Sequence, residues 1–146
     1  MKQINEKERQ LTALQTLVEH YASPLPLGIK GRFYLASPYT SEDPEQTRAW
    51  IQEIKALVPK IINAYPGLVL LVPVLATDPL ATTCEPEGGW YAYGLEMEDG
   101  AEGMIIAKQE GWEHSRGIML ELGFARGKGI PIYTLDPKSI INYLKI

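Results

Sequence analysis

The chain has 146 residues, 45% of them hydrophobic and 22% charged, with a formal net charge of −4 and a pI near 5.2. That length suits one domain able to bury about two-thirds of its unfolded surface without staples. The composition excludes a disordered chain, the acidic balance argues against a general nucleic-acid surface, and the longest apolar stretch, residues 68–76, is far shorter than the roughly 20 residues that cross a bilayer.

The N-terminus, MKQINEKERQ, alternates charges and lacks the apolar centre of a signal peptide, so a cytoplasmic protein is expected. Over residues 6–21, Leu11, Leu14, Leu17 and Val18 recur at helical spacing and predict an amphipathic helix that covers the core or a partner subunit. Ser23, Pro24, Pro26 and Gly28 break it, setting a helix and linker at 1–28 before an α/β domain at 29–146. RFYLA at 32–36, closed by Ser37-Pro38, reads as the first strand. Asp43, Pro44 and Gln46 supply an N-cap, a first-turn proline and a capping partner for a helix with apolar residues from Trp50 to Ile62; Pro59 predicts a kink or a break within it. LVLLV at 68–72 is apolar throughout, the pattern of a strand covered on both faces, and Pro73 stops it.

Residues 76–90 read as a long polar loop or lid containing the only cysteine, Cys84, which excludes an internal disulfide and any multi-cysteine metal site. A short helix over 91–99, a strand at 103–107, a helix at 115–126 ended by Gly127 and Gly129, a strand at 130–135 and a last helix at 138–144 complete the pattern. Strands alternating with helices predict a three-layer, doubly wound α/β fold. Its parallel sheet has four or five strands, Rossmann- or flavodoxin-like, with the N-terminal helix added. Ligands in such folds sit at the carboxyl ends of the strands, which selects the loops at 37–43, 73–90 and 109–117.

The third of these loops carries Trp112, His114 and Ser115, with Gly117 in the first turn of the helix that follows. Free amides and the helix dipole favour a phosphate or carboxylate there, and the Ser115 hydroxyl is either a further donor or simply the helix cap. Glu121 lies one turn beyond Gly117 among Leu120, Leu122, Gly123, Phe124 and Ala125. A carboxylate there is a catalytic candidate if it is buried, and otherwise an exposed glutamate or an ion pair with Arg116 or Arg126. His114 is either a phosphate or base contact or an incidental loop residue.

Taken together, FYLASPY at 33–39, the strand at 103–107 and SRGIMLELGFA at 115–125 resemble the nucleoside 2-deoxyribosyltransferase-like superfamily over most of residues 32–134. The likeness is nearest to its nucleoside 5'-monophosphate N-glycoside hydrolases, and Trp112 before Ser115 also resembles an uncharacterised bacterial and phage branch. The resemblance implies that Glu121 is the nucleophile at the anomeric carbon, that Tyr34 orients it, and that Ser115 and Gly117 bind the 5'-phosphate. Ser37, His114 and Trp112 join as substrate-binding candidates. The superfamily's second acid falls on Gly94 by spacing, so Glu96 or Glu98 is the expected replacement, and Glu96 is the one carried forward. Implied as well are a small-molecule nucleotide or nucleoside partner, no nucleic-acid polymer, no membrane, no cofactor, no metal, and a homodimer or larger assembly. The rivals are a nucleotide-binding or scaffold protein without catalysis and an NAD-type glycohydrolase.

Overall fold

Thr12 opens the first helix, α1 (Ala13–Tyr21), with a capping box shared with Gln15. There follow β1 (Ser23–Pro24), β2 (Gly31–Ala36), α2 (Pro44–Ala64), β3 (Leu68–Leu71), α3 (Pro73–Thr77), α4 (Gly89–Asp99) and β4 (Gly103–Ala107). A 3-10 turn (Trp112–His114), α5 (Arg116–Lys128), β5 (Ile132–Leu135) and α6 (Pro137–Tyr143) complete the chain. The computed structural model describes residues 11–39, 41–78, 84 and 86–143. Residues 6–10 of the expected first helix and the charged N-terminal segment lie outside these, as do residues 79–83 and 85 of the expected loop and the last expected helical residue, Leu144.

All five strands are parallel, in the order β1-β5-β4-β2-β3. Alternation along the two central strands creates two cores. Phe33 and Leu35 of β2 join Ile105 and Ala107 of β4 in a cluster with Ile54, Leu57 and Ile61 of α2 and Ile140 of α6. Tyr34 and Ala36 point the other way with Met104 and Ile106, into a cluster with Leu14 and Val18 of α1 and Ile118, Leu122 and Ala125 of α5. The fold is therefore three-layered and doubly wound, as the alternation of strands and helices predicts. The first helix covers the core.

From β2 the chain moves outward to β3 through α2, whereas from β4 it moves the opposite way to β5 through α5. Right-handed crossovers in opposite directions place their helices on opposite faces. The strands stay paired as far as Ala36 and Ile106, but the connections that leave their carboxyl ends part and open a crevice above them.

Three local expectations are corrected. Pro59 neither breaks nor divides α2, which runs unbroken from Pro44 to Ala64. Both Pro59 and Lys55, whose carbonyl loses its amide partner, are exposed, so the missing bond lies on the solvent side of the helix, where it costs least. Pro73 ends a strand but also opens α3 as a first-turn proline, so the expected loop is shortened at its start. The segment taken as a linker contains β1, whose Ser23 and Pro24 pair with Tyr133 and Thr134. A two-residue exposed strand has no hydrophobic pattern to betray it. Among the described residues no helix is long and apolar enough to cross a membrane.

Candidate active site

The crevice at the carboxyl ends of β2, β3 and β4 holds a cavity of about 280 Å³. Its floor and walls come from Tyr34 and Ser37 at the end of β2, from Pro73 and Thr77 of α3, and from Trp90 and Gly94 of α4. Ser115, Gly117 and Glu121 close it from the α5 side. Residues separated by up to 87 positions thus meet because parallel crossovers return every strand end to the same rim.

The start of α5 is shaped for an anion. Ser115 is its N-cap, its hydroxyl accepting from the Ile118 amide at 3.2 Å and its carbonyl accepting from the Met119 amide at 3.2 Å. Helix geometry leaves the amides of Arg116 and Gly117 without intrahelical acceptors, and the positive end of the dipole lies with them. Ser115 therefore both caps the helix and lines the cavity. Ser115→Ala is expected to lower stability by about 1 kcal/mol, the usual worth of such a cap. It should also weaken the thermal stabilisation given by a phosphorylated ligand more than that given by its dephosphorylated form. Melting curves with both ligands measure the two effects.

Deeper in the cavity, the Tyr34 hydroxyl donates to the Glu121 carboxylate. Tyr34 is buried at 3% exposure because β2 turns it into the α1/α5 core, beneath the second turn of α5. Burial pushes the Glu121 carboxyl up to about 8, and the Tyr34 hydrogen bond opposes that rise by favouring the anion. The Tyr34 phenol is itself held far above its ordinary value by burial and by the negative charge of Glu121. Glu121 makes no ion pair with Arg116 or Arg126. Arg126 stacks instead on the Tyr21 ring, 3.7 Å from its centroid, and donates to the Tyr21 hydroxyl at 2.8 Å.

A second carboxyl joins this cluster from α4. Glu98 is fully buried, and neither of its oxygens has a hydrogen-bond partner. Burial first, and then the charge of Glu121, push it up to about 8. Glu96, the residue carried forward from the spacing argument, is exposed. Two residues are about 200° apart on a helix, so only one of this pair can face inward. Gly94 and Glu98, four residues apart, form the buried stripe of α4. The position expected to hold an acid, Gly94, does lie on the cavity wall, where a Cβ would stand 3.3 Å from the Tyr34 hydroxyl.

Of the other candidates, Ser37 lines the cavity, while Trp112 and His114 do not. Trp112 packs on the α1/α5 core with the Lys108 ammonium 5.5 Å from its ring centroid. His114 is exposed and borders a separate groove with Thr12, Leu14 and Met119. There the Thr12 hydroxyl donates to the Glu113 carbonyl at 3.0 Å, tying α1 to the 3-10 turn. Sequence reasoning missed Tyr39, Thr77 and Trp90. Tyr39 donates to Asp78 at 3.0 Å, bracing the loop after β2 against the end of α3. Its place directly after a strand end was the available signal.

Chemically, the cavity offers a partly buried carboxyl held by a tyrosine and an anion-accepting helix start, with a second, fully buried carboxyl near the first. No protein-family model matches the chain, and no curated protein matches it either.

Proposed function

We propose that the protein cleaves or transfers the N-glycosidic bond of a nucleoside or deoxynucleoside 5'-monophosphate. The observation that carries this reading is the Tyr34–Glu121 pair inside a cavity whose rim is the open start of α5. A glycosyl nucleophile has to be an anion shielded from water, oriented by a donor, and set a short distance from whatever fixes the substrate. Glu121 in its ionised form, Tyr34 and the amides beside Ser115 supply these elements in one cavity. The parallel five-stranded sheet is also the fold expected of the nucleoside 2-deoxyribosyltransferase-like superfamily that the motifs resemble.

In this reading the 5'-phosphate sits on the Arg116 and Gly117 amides with the Ser115 hydroxyl beside it. The sugar then lies over Glu121 and the base against Trp90. Glu121 attacks the anomeric carbon as the bond to the base breaks, forming a glycosyl ester. Water or a second base resolves that ester. An oxocarbenium-like transition state carries positive charge, which the single anion below it stabilises.

A second reading, binding without chemistry, is favoured by one observation. Glu121 is the single carboxylate on the described cavity lining, and Gly94 occupies the place of an acid. One experiment separates the two. The purified protein is incubated with a panel of ribo- and deoxyribonucleoside monophosphates and with NAD, and free base is measured alongside thermal stabilisation. Base release from a monophosphate is the expected result. Stabilisation without release supports binding alone, release from NAD alone supports a dinucleotide glycohydrolase, and neither effect removes both nucleotide readings.

A further inference from the structure

The loop between β4 and α5 is held more firmly than a simple connection requires. Its five consecutive carbonyls, from Gln109 to Glu113, each accept from a donor. Gln109 accepts from the Trp112 amide at 3.0 Å, Gly111 from the His114 amide at 3.2 Å and Trp112 from the Ser115 amide at 3.0 Å. The other two are taken by residues of elements on opposite faces of the sheet. The Trp50 indole of α2 donates to the Glu110 carbonyl at 2.8 Å, and the Thr12 hydroxyl at the start of α1 donates to that of Glu113 at 3.0 Å.

Trp50 is held in return. Its main-chain carbonyl accepts from Gln109 Nε2 at 3.0 Å, and its ring lies against Gly111, where a Cβ would stand 3.3 Å from the ring. Gly111 also has a φ of +87°, so a side chain there would be strained as well as obstructed. The clasp has a cost. Gln109 is 1% exposed and its Oε1 has no partner among the described residues, a penalty that an apolar residue of similar size avoids. An amide kept there answers a demand for position more than for stability.

The position at stake is the start of α5, because the clasped loop runs through the 3-10 turn into Ser115. Amides stabilise an anion only while they are held facing it, and a carbonyl swung among them would set a negative dipole against the same charge. We propose that Trp50 and Gln109 are positioning residues for the 5'-phosphate, keeping the loop's carbonyls engaged and the Arg116 and Gly117 amides presented to the anion. The inference rests on the phosphate site of the N-glycosidic reading. Neither residue lines the cavity, so neither touches the ligand. Their effect falls on the phosphate, not on the base against Trp90.

Trp50→Phe keeps a ring against Gly111 and removes the indole donor. Gln109→Leu removes the side-chain bond together with the unpartnered oxygen. Both are made in Glu121→Ala protein, so that binding is read without turnover, and calorimetry compares a nucleoside 5'-monophosphate with the same nucleoside. In each variant the monophosphate is expected to bind about tenfold more weakly, the scale of a charge-assisted bond, and the nucleoside less than about twofold more weakly. A merely structural role weakens both ligands alike. Equal losses, or none, therefore overturn the positioning role and leave the N-glycosidic reading standing. Glu121→Ala protein that binds both ligands equally overturns the phosphate site and the positioning role with it, while base release by wild type decides the N-glycosidic reading separately. A ligand-free arm follows amide hydrogen exchange. The His114 and Ser115 amides should exchange at least about tenfold faster in Trp50→Phe, with those of Ile105 and Ile106 in β4 unchanged. Exchange at His114 and Ser115 identical to that of the parent protein overturns the clasp.

Discussion

Glu121→Ala is expected to lower base release from a nucleoside 5'-monophosphate at least ~10³-fold, because the group that forms the covalent bond is gone and water has no equivalent anion. Binding should survive, since the Arg116 and Gly117 amides and the Ser115 hydroxyl are untouched. A large loss of kcat with nucleotide-dependent thermal stabilisation retained is therefore the expected signature. Equal release by wild type and variant would show that Glu121 is not the nucleophile. The pH dependence carries the same assignment. The nucleophile has to be ionised, burial pushes it up to about 8, and wild-type kcat/KM should accordingly rise with pH until that region is passed. Tyr34 decides which carboxyl of the pair ionises first. Its hydrogen bond favours the anion of Glu121, whereas Glu98 has no donor at all.

The second large effect is on folding, and it needs no substrate. Glu98 and Glu121 are both raised from an ordinary value of 4.5 to about 8, mainly by burial. A carboxyl with a raised folded-state value contributes stability that is fully present below its ordinary value. That contribution is lost as pH rises through the folded one, because across this window the native state holds protons that the unfolded chain has released. Stability should fall between about pH 5 and pH 8 by on the order of 1 kcal/mol per pH unit for each carboxyl still protonated. Urea midpoints across that range measure it. Glu121→Gln should flatten the fall and stabilise the protein at pH 8, where the wild type has to keep a charge in the interior. A wild-type midpoint that climbs with pH would show that the pair is solvated or held by donors.

This opposition between stability and activity is what a functional carboxyl pair predicts. Two glutamates on facing helix stripes, where leucines would pack, reduce the stability of the fold and leave a site that tolerates one negative charge. Gly94 adds to the same pattern. A larger residue on that stripe would cover the Tyr34 hydroxyl and separate it from the helix carrying Glu98.

Periodicity in the sequence determined the architecture. Apolar runs at 32–36, 68–72 and 103–107, separated by helical patterns, left little alternative to a parallel sheet. The covered central strands at 32–36 and 103–107 lack alternation, and crossover helices declare themselves by their caps; the run at 68–72 lacks alternation too, but it is not covered on both faces, because β3 is an edge strand with Val69 55% exposed. The helix start at Ser115 and Gly117 and the carboxylate at Glu121 were legible for the same reason: cap, glycine and glutamate all lie within one helix, where spacing translates directly into geometry. Glu96 and Glu98 show where this kind of reasoning ends. Choosing between them required the rotational phase of α4, and that helix has a weak apolar pattern because its buried stripe contains a glycine and a glutamate. Only packing of α4 against α5 fixed the phase and placed Glu98, not Glu96, beside the Tyr34–Glu121 pair. Trp112 and His114 were likewise assigned by proximity in sequence, but the 3-10 turn before α5 directs them away from the cavity. What the chain alone determined were the elements and the one helix that carries its own motif. The meeting of Tyr34, Glu98 and Glu121 was decided by the tertiary structure, because contacts between elements depend on rotation and register that no single element encodes.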